Sequence, residues 1–511
     1  MSTVIPSSTG SSTGELPSAP RGWVLGALMC TMMLAAMDTT SVSTAIPQIV
    51  GDLGGLRLFT WVFSIYLLAQ TVTIPVYGKL SDLFGRKPVL ITGTLVFLAG
   101  SVASSVSWNM VSLIVFRGLQ GLGAGSIMAT VITLAGDLYP VEKQGRVQGW
   151  LSSVWGVAAI VGPLMGGAFA QYATWRWIFL INLPVGAVAL GLLGLFLHEH
   201  FERRKPSIDY AGAALVLASV GLLIFGVLQG GNAWPWSSPQ SLGVFAASAV
   251  LIGATVAVER RAVEPIIPGW LWRHRALAGS NLAMMGMGVG MMAPYTYLPT
   301  FLQSVHHLNA IEAGLILASM SIGWPAGSAI SARFYTRLGY RDAALLGAVL
   351  AVASPVLFIT LANPQPVWLL LFEQVLLGLG LGLLTTPLIV GVQASVGWSD
   401  RGVATGANMF ARYLGQSLGA ALFGAIFNGV VFHRLEYAPA SLRGQLPTGV
   451  DGVITATNEG HAVGAVTAFL REIVAAATWQ IYAAMAAIAL VTLLAIMIAP
   501  RHFPQVSSRK A

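Results

Sequence analysis

Fourteen stretches of about 20 apolar residues run through this 511-residue chain, and no other feature limits its fold as strongly. They lie near 22–44, 58–79, 88–107, 110–136, 146–170, 177–197, 209–229, 241–260, 276–303, 311–333, 343–361, 367–391, 403–429 and 475–499. A hydrocarbon core about 30 Å thick is crossed by roughly 20 helical residues. In lipid, each such segment must satisfy its own backbone hydrogen bonds, which a helix does. Only 9% of the residues are charged, against roughly 25% in soluble domains, too few to coat a water-soluble surface. The chain is therefore predicted to be an all-α polytopic membrane protein with 14 transmembrane spans, placed in a plasma membrane and most simply a bacterial inner membrane.

The basic residues give an orientation. With the N-terminus on the cytoplasmic side, 20 of the 27 Lys and Arg residues fall in inside segments and five outside. That asymmetry follows the rule that positive loops stay cytoplasmic, and it puts both termini there. The net charge of +8 is thus spent on topology. No basic run is long enough to track a phosphate backbone, so no nucleic-acid partner is expected. The single cysteine, Cys30, lies within the first span and offers neither a disulfide nor a metal site. The eight histidines scatter among loops and span ends without metal or nucleophile–base spacing, so neither a metal site nor an enzyme is expected.

Residues 1–20, rich in Ser, Thr, Gly and Pro, read as a disordered tail, and the first apolar segment as a retained helix, not a cleaved signal peptide. GNAWPWSSPQ (231–240) and LANPQP (361–366) are breaks between spans. A more polar connection, 430–474, reads as a long external loop. Two weak repeats relate the halves: QGLGAGSIMAT (120–130) echoes LGLGLGLLTTP (377–387), and GKLSDLFGRK (78–87) echoes ARFYTRLGYR (332–341). Duplicated halves with a substrate site between them are typical of secondary transporters. The long offset between the echoes is explained by two inserted spans. The expected organisation is a six-helix bundle over 21–200, two inserted helices in 201–265, a second six-helix bundle over 266–500, and a cytoplasmic tail over 501–511.

Four ionisable residues sit well inside spans: Asp38, Arg117, Glu373 and Arg412. A charge at the bilayer centre costs at least ~2.5 kcal/mol, so such residues line an aqueous path or pair with one another. Arg117 and Glu373 each lie about 10 Å in from the outer face at 1.5 Å per residue, and Asp38 also falls in the outer half. These three are expected to share one water-filled cavity as a proton and substrate site. The alternative is structural pairing, Asp38 with Arg117 or Glu373 with Arg412. The ninth span clusters methionines and tyrosines in AMMGMGVGMMAPYTYLP (283–299). Met284, Met291 and Tyr295, with Gln120, are candidate cavity-lining residues, since methionine repacks easily around varied ligands.

The loop GKLSDLFGRKPVL (78–90) has another logic. Gly78 and Gly85 allow close backbone approach and a tight turn. Asp82 can cap a helix end, Arg86 and Lys87 anchor the loop on the cytoplasmic face, and Asp137 is a candidate partner for Arg86. Such a cluster can lock two halves together and break when they switch.

This loop resembles the loop 2–3 signature of the major facilitator superfamily, G-x-L-[AS]-D-x-x-G-R-[KR]-x-x-[LI]. LIVFRGLQGLGAG (113–125) is similar to the span-4 motif of that family. Gly149 through GPLMGG (162–167) resembles its antiporter motif, G-x8-G-x3-G-P-x2-G-G. MDTTSVSTAIP (37–47) and WRWIFLINLPVG (175–186) resemble the fourteen-helix drug:proton antiporter branch. The resemblance implies two six-helix bundles plus two extra helices, working as a monomer without cofactor. It implies exchange of protons for small amphipathic, mainly cationic substrates, and hence multidrug efflux and antibiotic resistance.

Carried over residue by residue, it implies proton coupling or cation recognition at Asp38 and tuning of proton transfer by Arg117. It implies gating by Asp82, Arg86 and Asp137, and a small, kinked antiport face formed by Gly162, Pro163, Gly166 and Gly167. Ala158, Leu83 and Ser43 depart from the motifs at a glycine, a basic residue and an asparagine respectively. Glu373 lies outside them. A same-fold transporter of one secondary metabolite, lipid or amino acid is the alternative. A nucleotide-driven pump is excluded by the lack of a G-x-x-x-x-G-K-[ST] loop.

Overall fold

The computed structural model describes residues 21–55, 58–199, 209–231, 234–361, 366–442, 444–447, 449–458, 464–501 and 503. Fourteen of its helices are long and apolar enough to cross a membrane: α1 (Arg21–Leu53), α2 (Phe59–Phe84), α3 (Arg86–Ser105), α4 (Met110–Leu138), α5 (Val141–Tyr172), α6 (Trp177–Phe196), α7 (Tyr210–Gln229), α8 (Pro239–Glu259), α9 (Arg275–His306), α10 (Ala310–Leu338), α11 (Tyr340–Thr360), α12 (Val367–Ala394), α13 (Trp398–Glu436) and α14 (Ala465–Ile498). Among the described residues the only extended pairing is an isolated bridge between Gly230 and Trp234. Each expected span coincides with one of these helices. The N-terminal tail lies outside the described residues, as does nearly all of 501–511.

Several helices run past the apolar windows, because hydropathy marks only their greasy middle. The clearest case is the stretch 430–474, expected as loop. Instead α13 continues to Glu436, a short helix occupies Gly449–Asn458, and α14 begins at Ala465. The polar ends that hydropathy discounts pair with each other here, Arg434 to Glu472 at 3.0 Å.

Within the first half, α4 packs against α2 and α3, while α1 packs against α5 and α6. The second half repeats the arrangement: α12 packs against α10 and α11, and α9 against α13 and α14. The two halves meet where α2 crosses α13 and α5 crosses α10. Helices α4 and α12 are apolar on all sides, the pattern of a buried helix, and 83% of each hydrophobic window is buried.

Their echoed glycines explain how such close burial is possible. A Cβ at Gly121 or Gly125 would strike α2 at Tyr66 or Thr73, and one at Gly123 would strike α3 at Phe97. In the second half, Gly378 and Gly382 face Met320 and Trp324 of α10, and Gly380 faces Ala351 of α11. The weak repeat is thus a repeat of packing. The inserted helices lie at the flank, α8 on α7 and α7 against α2 and α13.

Candidate functional site

Asp38 and Arg117 form a fully desolvated ion pair between α1 and α4, at 1% and 0% exposure. A capping box starts α4, with Asn109 Oδ1 accepting from Ser112 N–H at 2.7 Å. Two turns on, this places Arg117 inside the bundle. Gln120 completes the pair: its Nε2 donates to Asp38 Oδ1 at 2.7 Å, and its Oε1 accepts from Arg117 Nη1 at 2.8 Å. Arg117 Nε donates to the Val62 carbonyl at 3.3 Å, and the guanidinium lies 4.2 Å from the centre of the Tyr66 ring. Behind Gln120, Ser101 Oγ donates to the Phe179 carbonyl at 2.9 Å and accepts from Asn182 Nδ2 at 2.9 Å. Five helices therefore contribute to one buried polar network around the charge pair, as a pair out of water requires.

Glu373 does not join this network. Its carboxylate, 1% exposed on α12, accepts from Ser354 Oγ at 2.8 Å and from Gln374 Nε2 at 3.3 Å, all within the second half. Nor does it pair with Arg412. The Arg412 guanidinium lies over the rings of Trp324 and Tyr413, at 5.0 and 5.7 Å from their centres. The shared cavity of Asp38, Arg117 and Glu373 and the Glu373–Arg412 pair are thus both replaced. The direction a side chain faces around its helix was not legible in the spacing.

The hydrogen bonds that cross between the halves gather at one end of the molecule. Asp82 on α2 accepts from the backbone N–H groups of Gly402 and Val403 at 2.9 and 2.8 Å. Arg86, 0% exposed, pairs with Asp82 at 2.9 Å and with Asp137 at 3.1 Å. It also donates to the Trp398 carbonyl at 2.6 Å and lies 3.6 Å over the Trp398 ring. Arg401 reaches across to Asp137 at 2.9 Å.

Gly78 is needed here: a Cβ would come within 2.6 Å of the Gly402 carbonyl oxygen. Gly85 turns the chain at φ +94°, a conformation that favours glycine. Lys87 faces its own bundle, donating to the carbonyl of Gly194 at 3.1 Å. It is an anchor on the end of α6 and, among the described residues, makes no bond across the seam. Gln393 Nε2 of α12 donates to the Ile132 carbonyl of α4 at 3.1 Å, and on the crossing of α5 with α10 the Tyr335 hydroxyl bonds to Val141 and Gly145 at the start of α5.

The sequence pattern of the Major Facilitator Superfamily matches residues 28–420. The chain belongs to the Major Facilitator Superfamily. It is 35% identical over 428 residues to "Multidrug resistance protein 3" of Bacillus subtilis, covering 83% of each protein. It is 33% identical over 414 residues to "Multidrug transporter protein MdtP" of the same organism, covering 81% of this chain and 76% of that protein. Among solved structures, the human organic anion transporter MFSD10 (TETRAN) superposes with a TM-score of 0.63 at 13% identity, over 93% of this chain and 99% of that one. This last likeness is one of fold. The chain is thus a multipass membrane transporter of the superfamily, not an enzyme, and its curated relatives are named for multidrug transport.

The glycines that resemble the antiporter motif divide between two neighbours of α5. A Cβ at Gly149 would sit 3.0 Å from the Pro325 carbonyl oxygen of α10, in the other half. At Gly162 and Gly166 it would strike Thr40 and Ser41 or Thr44 of α1. Thr40 Oγ1 also donates to the Ala158 carbonyl at 2.9 Å. Pro163 lies inside α5, where its missing N–H leaves a carbonyl of the preceding turn free. A Cβ at Gly167 would meet nothing within 4 Å.

Of the candidate lining residues, Gln120 belongs to the charge network and Met284 is fully buried in the main core. Met291 accepts weakly from Gln416 Nε2 at 3.8 Å, and only Tyr295, 37% exposed, presents substantial free surface. Sequence reasoning missed Ser101, Asn182, Trp398, Arg401 and Glu199, whose carboxylate accepts the N–H groups of Arg86 and Lys87 at 2.9 and 2.8 Å. The one available signal was a polar residue within or beside an apolar span.

Proposed function

We propose that this protein is a proton-coupled exporter of amphipathic compounds, cationic ones included, working as a monomer by alternating access. The observation that carries the reading is the Asp38–Arg117 pair, a carboxylate held out of water by one arginine and one glutamine. A proton arriving at Asp38 removes its charge and releases Arg117, and an arginine without its buried partner must find another. That change is large enough to move helices: breaking a buried pair costs about 3–5 kcal/mol. A cationic substrate competes with the proton for the same carboxylate.

The two halves, 21–200 and 266–500, are taken as rocking bodies around this region, with 201–265 inserted between them. The bonds across the seam hold closed the end that bears the 78–90 loop, the cytoplasmic end by the distribution of basic residues. No cofactor is required, because the proton gradient supplies the work. One pH unit contributes about 1.4 kcal/mol per proton, and 100 mV about 2.3 kcal/mol per charge moved. The test is efflux of an amphipathic cationic dye from loaded proteoliposomes, with and without an imposed proton gradient. Gradient-dependent efflux is expected; equal efflux in both conditions overturns the reading.

A further inference from the structure

We propose that Arg412 is a recognition point for an acidic group, so that the transporter also takes aromatic compounds bearing a carboxylate; this rests on the export reading above. Arg412 is a half-buried cation in the middle of α13, and among the described residues it makes no ion pair and donates no hydrogen bond. Its Nε is shielded from solvent and has no acceptor. The other charged groups within the spans do not supply one. Asp38 is taken by Arg117 and Gln120, and Glu373 is bonded to Ser354 and Gln374.

What surrounds Arg412 is aromatic. Trp324 and Tyr413 lie over the guanidinium, at 5.0 and 5.7 Å, and Tyr295, exposed mid-helix on α9, is within electrostatic reach. Rings stabilise the cation through their faces without neutralising it. The in-plane N–H groups of the guanidinium remain to be satisfied, and a carboxylate fits them with two parallel bonds.

The cluster stands at the seam between the halves. Tyr413 interacts with the Gln70 side chain of α2 and lies within electrostatic reach of Tyr66, the ring that covers Arg117. Trp324 is next to Pro325, whose carbonyl faces Gly149 of α5. The backbone of Arg412 is held by close packing, since a Cβ at Gly288 would come within 2.1 Å of its carbonyl oxygen. A substrate seated there touches both halves, with its aromatic body among the rings and its acidic group on Arg412.

The experiment compares equilibrium binding of 2-naphthoate and 2-naphthamide, which share shape but not charge, to the purified full-length protein. The wild type is expected to bind naphthoate about tenfold or more tightly, the scale of one charge-assisted bond pair. Arg412→Gln is expected to erase that preference while still binding naphthamide. Equal affinities in the wild type, no binding of either compound, or a preference that survives Arg412→Gln overturns the assignment. If Arg412→Gln does not fold, Arg412→Lys decides. It keeps the charge but loses the planar fork, so weaker naphthoate binding is expected and unchanged binding overturns the proposal. Binding needs no gradient, so a charge-selective site in a protein that exports nothing refutes the export reading alone. Gradient-driven export without charge preference refutes the Arg412 site alone.

Discussion

Asp82 of α2 and Gly402 of α13 are joined by a 2.9 Å bond from a backbone N–H to a carboxylate oxygen, placing a negative charge at the first turn of a helix in the opposite half. Helix N-termini carry unsatisfied N–H groups and partial positive charge, so this is where a carboxylate is most useful. The other crossing repeats the relation in weaker form. Gly145, which precedes Gly402 by the same offset that relates the glycine runs, gives its N–H to the Tyr335 hydroxyl at 3.2 Å. One crossing is locked by charge and the other by a neutral hydroxyl.

Asp82→Ala is therefore expected to loosen the closed end. It removes two charge-assisted bonds, each contributing ~1.5–3 kcal/mol, and leaves Asp137 as the one carboxylate paired with Arg86. Spin labels placed across this end are expected to show a longer, broader distance distribution, with transport reduced at least about tenfold. An unchanged distribution would mean that Asp82 is not part of the lock.

Close approach of backbones makes a second expectation. Gly402→Val places a side chain within 2.4 Å of the Gly78 carbonyl oxygen, so α2 and α13 cannot close. The variant is expected to fold, because the clash arises only between the halves, yet to transport poorly. Gly167→Ala meets nothing within 4 Å and is expected to transport like the parent, although Gly167 falls in the stretch that resembles the antiporter motif. A transport defect in Gly167→Ala matching that of Gly162→Val would contradict this division.

Glu373 offers a third. Glutamine keeps the shape and the accepting oxygen that Ser354 Oγ uses at 2.8 Å, and no described cation depends on the charge. Glu373→Gln is expected to leave the thermal midpoint unchanged, whereas Glu373→Leu strands two buried donors at a cost of about 1–3 kcal/mol each. Equal destabilisation by both would show that a charge is needed there.

The number of helices was legible in the sequence, because burial in lipid demands long apolar runs that a sequence cannot disguise. The Arg86–Asp137 contact was legible too, since the two residues carry opposite charge and both stand at helix ends on the same side of the apolar spans. Which way Glu373 faces was not. Helix α12 is apolar on every side, so no stripe indicates its orientation, and Ser354, its main partner, lies on a different helix. Trp398 and Arg401 were missed for a related reason. They stand more than 300 residues from Asp82, at a helix start whose role depends on the opposite half.

The most direct test of the account is Asp38→Asn, reconstituted in vesicles and assayed for gradient-driven efflux of an amphipathic cation. The amide keeps the contact with Gln120 but neither carries the charge that holds Arg117 nor takes up a proton. The account predicts that substrate still binds while efflux no longer responds to an imposed pH gradient. Full gradient-driven efflux by Asp38→Asn would contradict it and move the coupling site elsewhere in the molecule.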